Sequence, residues 1–152
     1  MIYGGIISGI LFAETMIKKY MKEDLSERKK ENPAKKGESY LQYEVIENKG
    51  GCGGILAGHP KVIRGISQGI LLCAFLELLK EKQKKKVTAA GIGLALILGG
   101  GFSNLADRLR KGSVTDYLRF PRFPVKKIRN LVFNLGDLCI FVGILLLSLR
   151  KK

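Results

Sequence analysis

A chain of 152 residues is about one domain's worth of protein, and its formal net charge of +14 comes from 27 Lys and Arg against 13 Asp and Glu. Hydrophobic residues make up 46% although 26% are charged, which requires that apolar and charged residues be segregated into separate runs. Four long apolar runs exclude a simple basic nucleic-acid module, so no nucleic acid is expected as partner, and attraction to anionic membrane phospholipid accounts for the charge.

The first run, Ile2 to Ile17, is interrupted by Glu14 and followed by Lys18 and Lys19. It lacks the basic start and small-residue cleavage motif of a secretory signal, which predicts a retained helix. Glu14 and Lys18 stand four apart, the spacing of an interfacial ion pair on one helix face. From Lys18 to Lys49 the chain is a polar connection of mixed charge, in which Ser39 to Ile46 alternates weakly, as a short strand does. His59 precedes Pro60 at the edge of the second run, Val62 to Leu79, where Glu77 lies close enough to the end to snorkel toward the lysines that follow. A tight turn, Lys80 to Lys86, carries five lysines.

The third run begins at Val87 and reaches spanning length by continuing as helix through Asn104 to Asp107. Its glycines Gly91, Gly93, Gly99, Gly100 and Gly101 offer faces for close helix approach. A basic loop with three aromatics and two prolines follows, Arg108 to Arg129, and the fourth run is Leu131 to Leu149. Each run approaches the ~20 residues that cross a ~30 Å hydrocarbon core. The expected fold is an all-α membrane protein, one domain over 1–152, with transmembrane helices at about 2–17, 62–79, 87–107 and 131–149 and a small β-containing platform. Charge leaves orientation open. Total Lys and Arg favour the long loops as cytoplasmic, whereas the lysine density of 80–86 favours that turn.

Cys52, Cys73 and Cys139 form no close pair and no metal spacing, and His59 has no ligand cluster, so no metal or cofactor is expected. Cys73 and Cys139 read as small core residues. The carboxylates are more informative. Asp137 lies in an apolar run, where a charge costs ~2.5–3.5 kcal/mol at the helix centre on insertion scales, so it is expected to face a polar interior and to have a task. Asn134 shares its helical face at i, i+3, and Asn104, Asp107 and Arg108 share another. Asp116 stands between the two groups, just after Gly112. Two adjacent carboxylates cannot both ionise easily, which leaves one as base and one as acid for a hydrolase. Arg108 is expected to pair with Asp107, and the amides of Asn104 and Asn134 to orient the dyad or grip a substrate backbone.

The run Gly99-Gly100-Gly101-Phe102-Ser103-Asn104-Leu105-Ala106-Asp107-Arg108, continuing through Gly112 to Asp116-Tyr117, resembles a signature of the lipoprotein signal peptidases (signal peptidase II). Phe133-Asn134-Leu135-Gly136-Asp137 resembles the family's final motif, Asn48-Lys49-Gly50 its Asn-x-Gly, and Glu14 with Lys18 its first-span acid and lysine. The resemblance implies an aspartic peptidase with Asp116 and Asp137 as the catalytic dyad. Asn48, Asn104, Asp107, Arg108, Asn134, Glu14 and Lys18 would shape the site or hold substrate. It further implies a monomeric multi-pass enzyme of the bacterial cell membrane, with both termini cytoplasmic and the platform and site extracytoplasmic. The partner would be a prolipoprotein whose signal peptide is cut just before a diacylglyceryl-modified cysteine. Glu14 stands where the family usually has Asp, Gly136 where it has Ala, and 51–54 is unusually rich in glycine. The altered first-span acid and the glycine-rich region leave a second reading, an inactive or repurposed relative acting as a membrane binding module, and Leu135-Gly136-Asp137 suggests a third, an unrelated Gly-x-Gly-Asp intramembrane protease.

Overall fold

Helices extend as far as the residues favour them, which here is beyond the apolar runs. The computed structural model of the chain describes residues 1–31, 40–84 and 86–149; Ser39, Lys85 and the basic tail 150–152 lie outside the described residues. Helix α1 (Ile2–Glu31) continues from the apolar run through Lys18 to Glu31. That stretch is rich in Lys and Glu, both strong helix formers, with no Gly or Pro to stop it. The first part of the expected polar connection is therefore helix.

Helix α2 (Pro60–Gln83) starts on a proline, whose missing N–H costs nothing in a first turn. Helix α3 (Ala89–Lys111) is capped by Thr88, whose hydroxyl accepts from Gly91 N at 2.9 Å. It ends at Gly112, which adopts φ 79° and returns its N–H to the Arg108 carbonyl. A glycine there reverses the chain into the left-handed conformation without strain. A short helix, α4 (Lys126–Arg129), precedes α5 (Leu135–Ser148).

Three strands, β1 (Gln42–Asn48), β2 (Val114–Arg119) and β3 (Val132–Phe133), form one antiparallel sheet in the order β1-β2-β3. Asn48 pairs with Val114 and Ile46 with Asp116; Leu118 pairs with Phe133. The expected strand over Ser39–Ile46 corresponds to β1. The other two strands correct the sequence expectation, which is a loop at 114–119 and helix at 131–134. The chain is mostly helical, and the three-stranded sheet is the β-containing part that the sequence reading expects.

Helix α3 is the hub of the packing. A Cβ at Gly91 or Gly99 would strike Tyr3 or Ile10 of α1, and one at Gly101 would strike Leu71 of α2. Against α5 the approach is backbone to backbone: a Cβ at Gly100 would lie 2.2 Å from the Gly136 carbonyl oxygen, and one at Gly93 2.7 Å from that of Gly143. The glycine stripe thus lets α5 lie directly on α3.

The outside is apolar. Helix α2 buries Ile63, Leu71, Ala74 and Leu78 on one face and exposes Ile66, Ile70, Leu72, Phe75 and Leu76 on the rest. Helix α5 exposes Phe141, Val142, Ile144 and Leu145. A surface of this kind is stable against hydrocarbon and not against water. Among the described residues α2 and α3 are long and apolar enough to cross a membrane, and α5 is an apolar helix of 14 residues. Cys73 is exposed and Cys139 half-buried, so neither is the core residue expected from its apolar surroundings.

At one end of the bundle the α2–α3 turn is fastened by Glu81, which accepts from Thr88 Oγ1 at 2.7 Å and from Lys84 Nζ at 2.6 Å. Glu77 pairs with Lys80 at 2.6 Å, as its position near the helix end predicts. The sheet lies by the other end of α3.

Candidate active site

Asp116 sits in the middle of β2, where the sheet and the helices close over both faces of the strand, and it is 2% exposed. Each of its oxygens accepts one amide N–H. Asn48 Nδ2 donates to Oδ2 at 3.0 Å and Asn134 Nδ2 donates to Oδ1 at 2.7 Å. Asn48 pairs with Val114, two residues before Asp116, which puts it diagonally beside the carboxylate on the same face of the sheet. Its own oxygen accepts from Gly50 N at 2.9 Å, and its amide also donates to Gly51 O at 3.1 Å. Gly50 has no room for a side chain, since a Cβ would lie 2.5 Å from the Gly54 carbonyl carbon.

Asp137 lies in the first turn of α5. Asn134, the N-cap, accepts from Asp137 N at 2.8 Å, and Asp137 Oδ2 accepts from Asn134 N at 3.2 Å. This reciprocal capping box satisfies two of the backbone donors that every helix start leaves open. Asp137 Oδ1 accepts from Asn104 Nδ2 of α3 at 2.9 Å. The two asparagines expected to orient the carboxylates do contact them, and Asn134 contacts both.

Lys18 and Asp107 brace this arrangement from behind. The buried Lys18 ammonium donates to Ser103 Oγ and Asn104 Oδ1, at 3.2 and 3.3 Å, and pairs with Asp107 at 3.2 Å and Glu14 at 3.8 Å. Asp107 also accepts from Thr115 N at 3.1 Å, which ties α3 to the strand carrying Asp116. The expected Arg108–Asp107 pair is not formed. Neighbouring residues on a helix diverge, so Asp107 turns to Lys18 while Arg108 reaches the 48–51 loop and donates to Gly50 O at 2.8 Å. The Arg108 Nε is buried with no hydrogen-bond partner.

Glu14 is wholly buried, not interfacial as its spacing from Lys18 suggested. It accepts from Gly136 N and, at 3.2 Å, from the Tyr117 hydroxyl, which in turn accepts from Leu135 N at 3.1 Å. Burial and the Glu14 charge push the Tyr117 phenol above its ordinary range, so it stays protonated and a donor. Tyr117 and Ser103 are site residues that the sequence reading missed. Both lie inside the motif runs, and only the fold reveals what their hydroxyls meet.

The two aspartates line one cavity of about 20 Å³, together with Asn48, Asn104 and Arg108. That is room for about one water molecule, with several polar partners to hold it. Burial first, and the Asp137 charge second, push the Asp116 carboxyl up to about 6, against the lowering effect of the Asn48 and Asn134 amides. A larger cavity of about 500 Å³ opens between α1 and α3, walled by Leu11, Phe102 and Leu105, and neither aspartate lines it. At the outer edge of the site Glu47 pairs with Lys22 at 2.6 Å and Lys111 at 3.1 Å. Burial alone would raise its carboxyl, but hydrogen bonds from Lys22, Ser113 and Lys111 hold it down to about 2.

Comparison with known proteins identifies the family of the chain. The family model described as signal peptidase (SPase) II covers residues 6–151. The lipoprotein signal peptidase of Moorella thermoacetica is 33% identical over 112 residues, 72% of this chain and 67% of its own length. That of Pelotomaculum thermopropionicum is 36% identical over 109 residues, 72% of this chain and 64% of its own length. The aligned stretch is thus about two thirds of each relative. A solved bacterial membrane enzyme superposes with a TM-score of 0.73 at 19% identity, over 99% of this chain and 92% of its own, which establishes a shared fold. With the family match extending over nearly the whole sequence, the chain belongs to the signal peptidase II family.

Proposed function

We propose that the chain is a membrane aspartic endopeptidase that removes the signal peptide from diacylglyceryl-modified prolipoproteins, cutting just before the lipidated cysteine. The observation that carries this reading is the water-sized cavity shared by Asp116 and Asp137, each carboxylate held by asparagine amides. Family membership supplies the substrate class.

The chemistry follows from the pair. With one proton between them, the ionised carboxylate takes a proton from the cavity water as its oxygen attacks the scissile carbonyl carbon. The protonated partner donates to the carbonyl oxygen. Collapse of the tetrahedral intermediate then breaks the C–N bond: the released amine takes a proton from the carboxyl that received it from water, and a hydroxyl of the intermediate returns a proton to the partner carboxylate, so the pair again holds one proton. The two aspartates titrate as a coupled pair, and the acid and base roles belong to the pair. Arg108, held to Gly50 O and lining the same cavity as the two aspartates, is assigned to holding the substrate backbone.

Four helices, the apolar half of α1 with α2, α3 and α5, cross the membrane in this reading, as one domain that works as a monomer. The termini and the lysine-rich α2–α3 connection face the cytoplasm, and the sheet and dyad lie at the extracytoplasmic face. Two features support this. The lysine-rich turn and the sheet belong to opposite ends of α3. Helix α5, at 14 residues, is about 21 Å long against a ~30 Å hydrocarbon core. If its C-terminus reaches the inner face, its capped start and Asp137 are recessed below the outer surface, at the depth of a bond next to a lipid-anchored cysteine. Both carboxylates and their amides are present, so the reading of an inactive relative has no feature to favour it. The reading is tested by incubating the purified protein with a diacylglyceryl-modified prolipoprotein and following release of the signal peptide.

A further inference from the structure

We propose that Glu14 is the positioning residue for Asp137, and that it and Gly136 form a matched pair in which the carboxylate occupies the space a side chain at 136 would take. The inference rests on the peptidase reading above for its activity readout, but not for its geometry.

The first turn of α5 has three consecutive N–H groups with no helical acceptor, and each has a different partner. Leu135 N donates to the Tyr117 hydroxyl of β2, Gly136 N to Glu14 Oε1 of α1, and Asp137 N to its own cap, Asn134. A buried helix start needs such partners. Here they come from three separate parts of the chain, so together they fix the turn that carries Asp137 in all directions. Glu14 is central to this set because it also accepts from the Tyr117 hydroxyl, one residue from Asp116. One carboxylate therefore links the Asp137 turn to the strand of the other aspartate. A negative charge at a helix N-terminus is also favourable, and Lys18 behind Glu14 offsets the cost of burying it.

The fit is tight. A Cβ at residue 136 would lie 3.0 Å from Glu14 Oε1, and also 3.0 Å from Asn134 Oδ1 and from the Gly100 carbonyl oxygen. An alanine at 136 pushes on the Glu14 carboxylate and on the asparagine that holds both aspartates. An aspartate at 14 is shorter by one C–C bond, about 1.5 Å, and leaves Gly136 N without its acceptor while relieving one of the three contacts that an alanine methyl would meet. The two substitutions compensate each other in this contact, so their effects are predicted to be non-additive.

The experiment is a double-mutant cycle of E14D, G136A and E14D/G136A, reading signal-peptide release from a diacylglyceryl-modified prolipoprotein together with melting temperature in detergent. Each single variant is expected to lower kcat at least tenfold with KM within twofold. The double variant is expected to turn over at least fivefold faster than the product of the two single losses. As a control for buried-carboxylate stability alone, E81Q disturbs an equally buried glutamate at the far end of α3 and is expected to lower the melting temperature with kcat unchanged. Multiplicative losses in kcat, or a kcat loss in E81Q equal to that in E14D, overturn the proposal. If the wild type releases no signal peptide, the peptidase reading fails instead; the melting temperatures still decide the pairing, since additive shifts there also overturn it.

Discussion

The side-chain amide of Asn134 donates to Asp116 Oδ1 at 2.7 Å, while its side-chain oxygen accepts from the backbone N–H of Asp137 at 2.8 Å. One residue thus sets the spacing of the two carboxylates. It caps the helix that carries one and hydrogen-bonds the other across the sheet.

Replacing Asn134 separates these roles. Asn134→Ala removes a cap, typically about 1 kcal/mol, and leaves a buried carboxylate short of a donor, about 1–3 kcal/mol. Asn134→Ser restores a good cap but is too short to reach Asp116. The alanine variant is expected to lose about 2–4 kcal/mol of stability by these terms, and the serine variant markedly less, with both losing at least a hundredfold in kcat. Equal activity in the serine variant and wild type would show that the cap alone matters.

Asp116 keeps its proton to a higher pH than an ordinary carboxyl. Its carboxyl is pushed up to about 6 by burial and then by the Asp137 charge. Because the native value lies above the ordinary 3.8, the native state binds the extra proton, so this group's contribution to stability falls as pH rises from about 4 to about 6. Carboxyl infrared difference spectra should give a midpoint near 6 in the wild type. In Asp137→Asn the midpoint should move down but stay above 3.8, since burial remains. An unmoved midpoint would mean that the two carboxylates do not sense each other.

Much of this was legible in the sequence, and what was not has physical causes. The apolar runs located four helices because apolar length is a strong signal, and the motifs held both aspartates. Strand β2 was hidden because Val114 to Tyr117 are all buried, and a strand covered on both faces shows no alternation. Val132 and Phe133 merged with the apolar run behind them, although Asn134 and Asp137, three apart before that run, spell a helix start. The partner of Arg108 was beyond reach because it is a backbone carbonyl, which no residue type announces. Glu14 and Gly136, noted separately as departures from the family pattern, meet in one contact.

The glycine stripe of α3 yields a positional prediction. Gly100→Ala drives a methyl into the Gly136 carbonyl of the Asp137 turn, at 2.2 Å, where only backbone movement relieves it. Gly101→Ala meets the end of the Leu71 side chain, which can rotate away. The first is expected to abolish activity and lower the melting temperature by about 4–12 °C, from an overpacking loss on the order of 2–3 kcal/mol. The second should keep most of its activity. Comparable losses in both would mean that the α3–α5 approach does not set the site.

Glu47 gives the acid limb of stability. Its carboxyl is held at about 2, below the ordinary 4.5, by Lys22, Ser113 and Lys111. A depressed carboxylate contributes stability above its ordinary value and loses it as pH falls toward the native one. The melting-temperature difference between wild type and Glu47→Gln should therefore be constant above pH 5 and shrink between about 4.5 and 2. A difference independent of pH across that window would remove these ion pairs from the account.

The central claim is that Asp116 and Asp137 act as one dyad on a lipidated prolipoprotein. The most direct test is a gel-shift assay of signal-peptide release from a diacylglyceryl-modified substrate, comparing wild type with Asp116→Asn and Asp137→Asn. Cleavage by the wild type, with a loss of at least a thousandfold in each variant while both remain folded, is the predicted result. Turnover retained in either folded variant, or none by folded wild type across several lipidated substrates, would contradict it.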